Sequence, residues 1–359
     1  MFEKFNIKDL DRSDMFEILR DFPSQVEQAC QIGVEAPFFN KPLKSNNFVL
    51  MGMGGSAIGG DLIRSYLAGI KGNKINLSIS RSYNVPHYAD ETFNFIASSY
   101  SGGTEETLSS INQAIDINAN ILAITSGGTL ESICNEKDIP AIKIPGGMMP
   151  RCAVGYSFFP LLHMFLKSDL IEEETKKKII KSIEETQELL RRKKEIYSDF
   201  KDEEHNPALK IARILRHNVS IIYSGNELLD TVNLRWRGQI QENSKALAFG
   251  NVIPEMNHNE INSWILPEDL LGRFVAIYLF DRDYNKKIKE RIFAVDKILS
   301  EKIHRTIKIE SLADSLLARM FDILYLGDWV SFYLALLNEE DPTPIPLIMR
   351  LKEELASLV

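Results

Sequence analysis

Cysteine is scarce. Cys30, Cys134 and Cys152 are the only three in 359 residues, odd in number and far apart. They form no Cys-x-x-Cys spacing, so a disulfide scaffold is not indicated and a reducing, cytoplasmic compartment is the simplest expectation. Basic charge is in deficit too: 42 Lys and Arg against 50 Asp and Glu leave a formal net charge of −8. Such a balance gives no support to nucleic-acid or anionic-membrane partners. The six histidines include no His-x-x-His or His-x-x-x-His pair, so no metal site is indicated. The first residues, Met1 to Asn6, mix acid into the opening turn and lack the basic-then-apolar order of a signal peptide. Apolar runs fall short of the ~20 residues that a bilayer crossing needs. A soluble intracellular protein is the expectation.

What is present is enough apolar sequence, 44% of the chain, for two domain cores. After helices in residues 1–45, with Ser13-Asp14 and Ser24-Gln25 as candidate starts, strands and helices alternate. Residues 48–51, 75–79, 93–98, 121–125 and 141–144 read as strands, with helices near 58–67, 105–117 and 130–135. Residues 151–216 read as helical, and their basic runs, interleaved with glutamates, as a solvated helix face. A second alternation follows: strand 219–223, helix 228–244, strand 274–280, a helix from Lys286, strand 306–309 and helix 312–337. The expected fold is α/β, with a mainly parallel sheet flanked by helices in each of two domains. The boundaries read as an N-terminal segment 1–45, a first domain 46–200 and a second domain 201–359.

Two glycine- and hydroxyl-rich segments each follow a strand and open a helix. The first runs from Met51 to Asp61 and contains Gly55 and Ser56. The second runs from Ser99 to Thr107 and contains Ser101 and Thr104. Unpaired amides and the positive helix end at such a junction hold an anion, so a phosphate ester at a sheet edge is the reading. Gly52-x-Gly54-x-x-Ala57 also fits a dinucleotide fingerprint. No Asp or Glu lies between Asp61 and Asp90 to take a ribose hydroxyl, although Arg81 could take a ribose phosphate. For the second segment the competing reading is a plain helix cap at Thr104.

Pro145 to Arg151 ends another strand, and its glycines and proline would carry Arg151 to the same edge, where a cation offsets developing negative charge. Later come Glu242, amid apolar and amide residues near a helix end, and a polar cluster containing His258. Beside a phosphate cradle, a carboxylate and an imidazole suit proton transfer at a sugar carbon; a hydrogen-bonded core histidine is the alternative for His258.

The ordered motifs Met-Gly-Gly-Ser-Ala-Ile-x-Gly-Asp, Ser-x-Ser-Gly-x-Thr-Glu-Glu-Thr, Gly-x-x-Pro-Arg-x-Ala-x-Gly and Glu-Asn-x-Lys followed by Pro-Glu-x-Asn-His-Asn-Glu resemble the bifunctional phosphoglucose/phosphomannose isomerases of the sugar isomerase (SIS) superfamily. The resemblance runs from about residue 48 to the C-terminus. It implies two SIS-type domains and a cofactor-free aldose–ketose isomerase acting on a small sugar phosphate. By resemblance, Gly55, Ser56, Ser99, Ser101 and Thr104 hold the phosphate, Arg151 stabilises an enediolate, Glu242 is the base and His258 helps open the ring. Lys352 best matches a lysine of the family's final helix, and Thr343 a threonine near the sugar. Gly103 stands where many relatives carry asparagine. The resemblance also implies a homodimer with active sites between domains, His258 coming from the neighbouring subunit. A sugar-phosphate-binding SIS regulator is the alternative; no helix-turn-helix-like basic module accompanies the two domains.

Overall fold

The protein is described by a computed structural model covering residues 7–357. It packs as two compact units: residues 21–188 with 315–317 form the first, and residues 7–20, 189–314 and 318–357 the second. Helix α1 (Ile7–Leu10) and helix α2 (Met15–Arg20) belong to the second unit, helix α3 (Phe22–Glu35) to the first. The cap of α2 is Asp11, upstream of Ser13-Asp14; its carboxylate accepts from the Met15 and Phe16 amides, each at 2.8 Å. Helix α3 starts at Phe22 with Pro23 in its first turn, so Ser24 lies inside it.

In the first unit the elements run β1 (Asn47–Gly52), α4 (Gly54–Ala68), β2 (Asn76–Ser80), β3 (Asn94–Ser99), α5 (Glu105–Asp116), β4 (Asn120–Thr125), α6 (Gly128–Glu136), β5 (Ala141–Lys143) and α7 (Val154–Leu166). All strand pairs are parallel, in the order β2-β1-β3-β4-β5. β3 and β4 are buried throughout, as a central strand covered on both faces must be, and so read as unbroken apolar or small-residue runs.

Helix α8 (Glu173–Ser198) carries the chain into the second unit. There follow α9 (Pro207–Leu215), β6 (Val219–Gly225), α10 (Asp230–Ser244), β7 (Ala248–Ile253), α11 (Glu268–Leu271), β8 (Phe274–Phe280), α12 (Lys286–Ser300), β9 (Arg305–Glu310), α13 (Leu316–Leu337) and α14 (Pro346–Ala356). This sheet is also wholly parallel, in the order β7-β6-β8-β9. β7 escapes the sequence reading because it is an edge strand of mixed burial containing Gly250 and Asn251, residues depleted in strands.

Helix α13 corrects the expectation that apolar runs stop short of a membrane span. Its length and composition suffice to cross a bilayer, yet its most apolar stretch is entirely buried inside the protein. A helix apolar on all sides serves equally as a core element. Its charged residues are paired internally: Arg319 with Asp281 at 2.7 Å, and Asp328 with Arg235 of α10 at 2.7 Å. The three cysteines are free and buried, and burial pushes the Cys30 thiol up to about 12 and the Cys134 thiol to about 11. Such thiols stay protonated and unreactive.

The Arg235–Asp328 pair yields a stability prediction. Both side chains are 4% exposed, and Asp328 also accepts from Gln239 at 3.0 Å. Arg235→Leu strands that carboxylate and should cost about 3–5 kcal/mol, read as a lower urea midpoint for the second unit.

Candidate active site

The strand order of the first unit creates a crevice. The chain leaves β1 for β2 on one side, then returns to β3 on the other, so the turns after β1 and β3 leave the same sheet edge side by side. In register Gly52 faces Ser98. This is the switch point at which parallel α/β sheets bind ligands.

Helix α4 begins here with Gly54, Gly55 and Ser56, and its first turn carries no acid. Its orphan amides and positive end are therefore not neutralised by the chain's own carboxylates in that turn. The buried Ser56 hydroxyl accepts from the Tyr100 amide at 2.9 Å, and the Ser98 hydroxyl donates to the Ser56 carbonyl at 2.9 Å. These bonds lock the two turns together. Ser56 still has its own hydroxyl proton to offer.

In the second turn Ser99 is buried and its hydroxyl meets that of Thr104 at 2.8 Å. Thr104 stands at the N-cap position of α5 but makes no side-chain cap bond. The plain-cap reading is therefore overturned: the hydroxyl is turned to Ser99. Ser101 is exposed, and its hydroxyl accepts from the Gly103 amide at 3.3 Å. Gly102 makes the turn possible. Its φ is +69°, and a Cβ there would sit 1.7 Å from the Gly127 carbonyl oxygen.

A third segment closes on the same spot. Pro150 opens a 3₁₀ turn, Pro150–Cys152, that holds Arg151 at 6% exposure. The turn lies on the start of α4, since a Cβ on Gly55 would come within 2.6 Å of the Pro150 carbonyl oxygen. Gly55, Ser56, Tyr100, Pro150 and Ala153 line one small cavity. The structure thus brings the hydroxyl turns and the Arg151 turn together. Arg81 is paired with Asp61 of α4, so the cation required by the dinucleotide alternative is already engaged.

In the second unit Glu242 lies half-buried in the last turn of α10. That helix is tied to α13 by Arg235–Asp328, by Trp236 donating to the Ile323 carbonyl at 2.9 Å, and by Asn243 donating to the Ser331 hydroxyl at 2.9 Å. Lys245 ends the helix in the left-handed region, with φ of 52°. Its ammonium donates to the backbone carbonyls of Asn243, at 3.0 Å, and Asp341. The Asp341 carboxylate accepts from the Thr343 amide at 2.9 Å, so the Thr343 loop is joined to the end of the Glu242 helix.

His258 ends a 3₁₀ turn, Glu255–His258, and is exposed, which overturns the core-histidine alternative. The segment bearing it is held through Glu260. The Tyr223 hydroxyl donates to Glu260 at 2.5 Å, Asn251 donates at 2.8 Å, and Trp264 donates to the Tyr223 oxygen at 3.2 Å. Burial, then the bond to Glu260, pushes the Tyr223 hydroxyl well above its ordinary pKa, so it remains a donor. Lys352 lies on α14, a helix without a buried residue. Among the described residues no group of three His, Cys, Asp or Glu is arranged to hold a metal ion.

Sequence reasoning missed the supporting contacts. Tyr100 accepts from the Met148 amide at 3.0 Å through its hydroxyl, and Lys245 reaches Asp341 across 96 residues. Neither pair has a local sequence signal.

Comparison with known proteins adds four findings. Residues 204–355 match the family described as bacterial phospho-glucose isomerase C-terminal SIS domain. The bifunctional phosphoglucose/phosphomannose isomerase of Caldicellulosiruptor bescii is 40% identical over 344 residues, which is 96% of this chain and 99% of that protein. Its namesake from Aquifex aeolicus is 34% identical, over 86% of this chain and 89% of its own. Among solved structures, the C-terminal domain of glucosamine-fructose-6-phosphate aminotransferase from Francisella tularensis superposes with a TM-score of 0.70 at 14% identity, covering 92% of this chain and 98% of that one. The fold is of SIS type in both halves.

The close approach at Gly102 is directly testable. Gly102→Ala forces a side chain into the left-handed region, a strain of about 1–3 kcal/mol, and onto a backbone oxygen. Stability should fall by at least that amount, and protection of the protein by inorganic phosphate in a thermal shift should be lost.

Proposed function

Because this chain belongs to the family of bifunctional phosphoglucose/phosphomannose isomerases, we infer that it interconverts glucose 6-phosphate and mannose 6-phosphate with fructose 6-phosphate. The observation that carries this reading is the paired helix-start cradle of the first unit, with the turn that bears Arg151 packed on the start of α4. A dianionic phosphoryl group fits its amides, its hydroxyls and its helix ends, although the protein as a whole is acidic.

In the proposed mechanism Ser56, Ser99, Ser101 and Thr104, with the amide of Gly55, bind the phosphate and fix the sugar. His258 moves a proton at the ring oxygen and opens the ring. Glu242 takes the proton from C2 of the open aldose, and the C–H electron pair becomes the double bond of a cis-enediolate. Arg151 offsets the charge on the enediolate oxygens. Glu242, now protonated, returns its proton to C1, the hydroxyl proton on the C2 oxygen passes to the C1 oxygen, and the C2 oxygen becomes the ketose carbonyl. One carboxylate suffices because both carbons share a face of the planar intermediate. Rotation about C2–C3 would let the same base serve either C2 epimer, which suits two aldose substrates. Thr343, tied to the end of the Glu242 helix, is proposed to contact the sugar, and Lys352 to act from α14.

We further propose a homodimer in which His258 serves the neighbouring subunit's site. The exposure of His258 and of Leu247, Phe249 and Leu266 in the same unit supports it. A cytoplasmic setting is proposed on the three reduced, buried thiols.

An uncoupled isomerase assay in EDTA, without nicotinamide, tests the activity: glucose and mannose 6-phosphates should both yield fructose 6-phosphate. A sugar-phosphate-binding regulator would bind them without turnover. Glu242→Gln should lower kcat by about 10²–10⁴-fold with little change in phosphate affinity. Full activity would remove Glu242 as the base. Ser101→Ala should act chiefly on KM, and an unchanged KM would remove it from the cradle. Sedimentation at micromolar concentration should return twice the 40.9 kDa chain mass.

A further inference from the structure

Residues 1–45 carry none of the family motifs, yet one of their side chains reaches the turn that holds Arg151. Gln25 of α3 is 3% exposed. Its carboxamide nitrogen donates to the Cys152 carbonyl at 2.9 Å, and its carboxamide oxygen accepts from the Gly155 amide at 2.9 Å. The same nitrogen lies 3.6 Å from the Met148 sulfur. Both ends of one short side chain thus grip the backbone immediately after Arg151. Only glycine allows the second contact, since a Cβ at Gly155 would fall 2.7 Å from the Gln25 oxygen. On the other side of Arg151, the Tyr100 hydroxyl accepts from the Met148 amide.

The packing of α3 against the protein does not require this group. A leucine would fill similar volume and bury more apolar surface. What a carboxamide supplies is one donor and one acceptor in a fixed plane, matched here to one carbonyl and one amide. Both partners are backbone groups of the segment 152–155, which continues from the 3₁₀ turn into α7. Their satisfaction fixes how that turn sits on the start of α4, and therefore the root of the Arg151 side chain.

We infer that Gln25 is a positioning residue for Arg151, setting the guanidinium against the cradle so that it meets the enediolate. The inference rests on the role given to Arg151 above. A displaced guanidinium still leaves the hydroxyl turns intact. The effect therefore falls on the chemical step, not on phosphate capture.

A double-mutant cycle tests it on the full chain. Gln25→Leu should lower kcat by about tenfold to hundredfold, with KM for fructose 6-phosphate within about twofold of wild type. In an Arg151→Ala background the same change should cost less than about twofold, because the group it positions is gone. Gln25→Glu keeps the shape and the acceptor for the Gly155 amide but replaces the donor to Cys152. It is measured in parallel, in case the leucine variant does not fold, and should show the same coupling. Equal kcat losses with and without Arg151, or a loss carried by KM, would overturn the inference while leaving Arg151 in place. Full kcat in Arg151→Ala alone would instead overturn the role of Arg151, and the inference with it.

Discussion

Backbone amides at the start of a helix have no partner within the helix, and the chain must either satisfy them or present them to a ligand. In the first unit the winding of the sheet sets two such starts next to each other, because β1 and β3 are neighbours although β2 intervenes in sequence. Much of the local sequence follows from that constraint. Glycine is needed where the backbones of the turns nearly touch, at Gly102 and Gly55. Serine and threonine provide donors where a charged side chain would be too long. The hydroxyls of Ser56, Ser98, Ser99 and Thr104 bond one another's segments, so the turns are ordered before any ligand arrives. Preorganisation of this sort avoids loss of binding energy in ordering the site.

Placing the carboxylate demands a different economy. Glu242 sits at the end of a helix of low intrinsic amphipathicity, whose polar residues face the protein as often as its apolar ones. Arg235, Gln239, Asn243 and Ser244 are all buried, and most of their partners lie on α13. A core built this way is not the most stable available, because apolar residues of equal volume often do better. Its merit is directional. Hydrogen bonds fix the rotation of α10 about its own axis, which apolar packing alone fixes less strictly. The carboxylate's direction follows from that rotation.

The strands were legible wherever burial on both faces leaves continuous apolar or small-residue runs, as in β3, β4 and β8. β8 is legible to its ends, Phe274 to Phe280. Helix starts were legible at Thr104 and Lys286. Three features were not. β7 hides behind Gly250 and Asn251 at a sheet edge. The cap of α2 is supplied by Asp11 from outside the expected pair. The apolar length of α13 is hidden in the sequence because charged residues interrupt the run, whereas pairing with Asp281 and Arg235 lets it pass through a core. For the site, the residues that would touch substrate stand in local motifs, whereas those that hold them in place do not. Lys245 to Asp341 and Gln25 to Cys152 join positions 96 and 127 residues apart. Such contacts exist only in the folded chain, so the spacing of residues carries no trace of them.

The second unit repeats the winding of the first, with β6 between β7 and β8, yet its first strand-to-helix junction has become something else. Its helix α10 starts with Asp230, a carboxylate in the first turn, where α4 has none. The intrinsic acid neutralises the helix end that would otherwise draw an anion. Ser224, at the end of β6, is buried and accepts from Asn233, so its hydroxyl is bound within the core. The sheet edge is used instead to anchor a polar segment: Tyr223 and Asn251, paired in register on neighbouring strands, both grip Glu260 two residues from His258. What sets the first unit apart is the linking of two neighbouring helix starts through buried serine hydroxyls rather than a lack of acid alone, since α5 itself opens with Glu105 and Glu106.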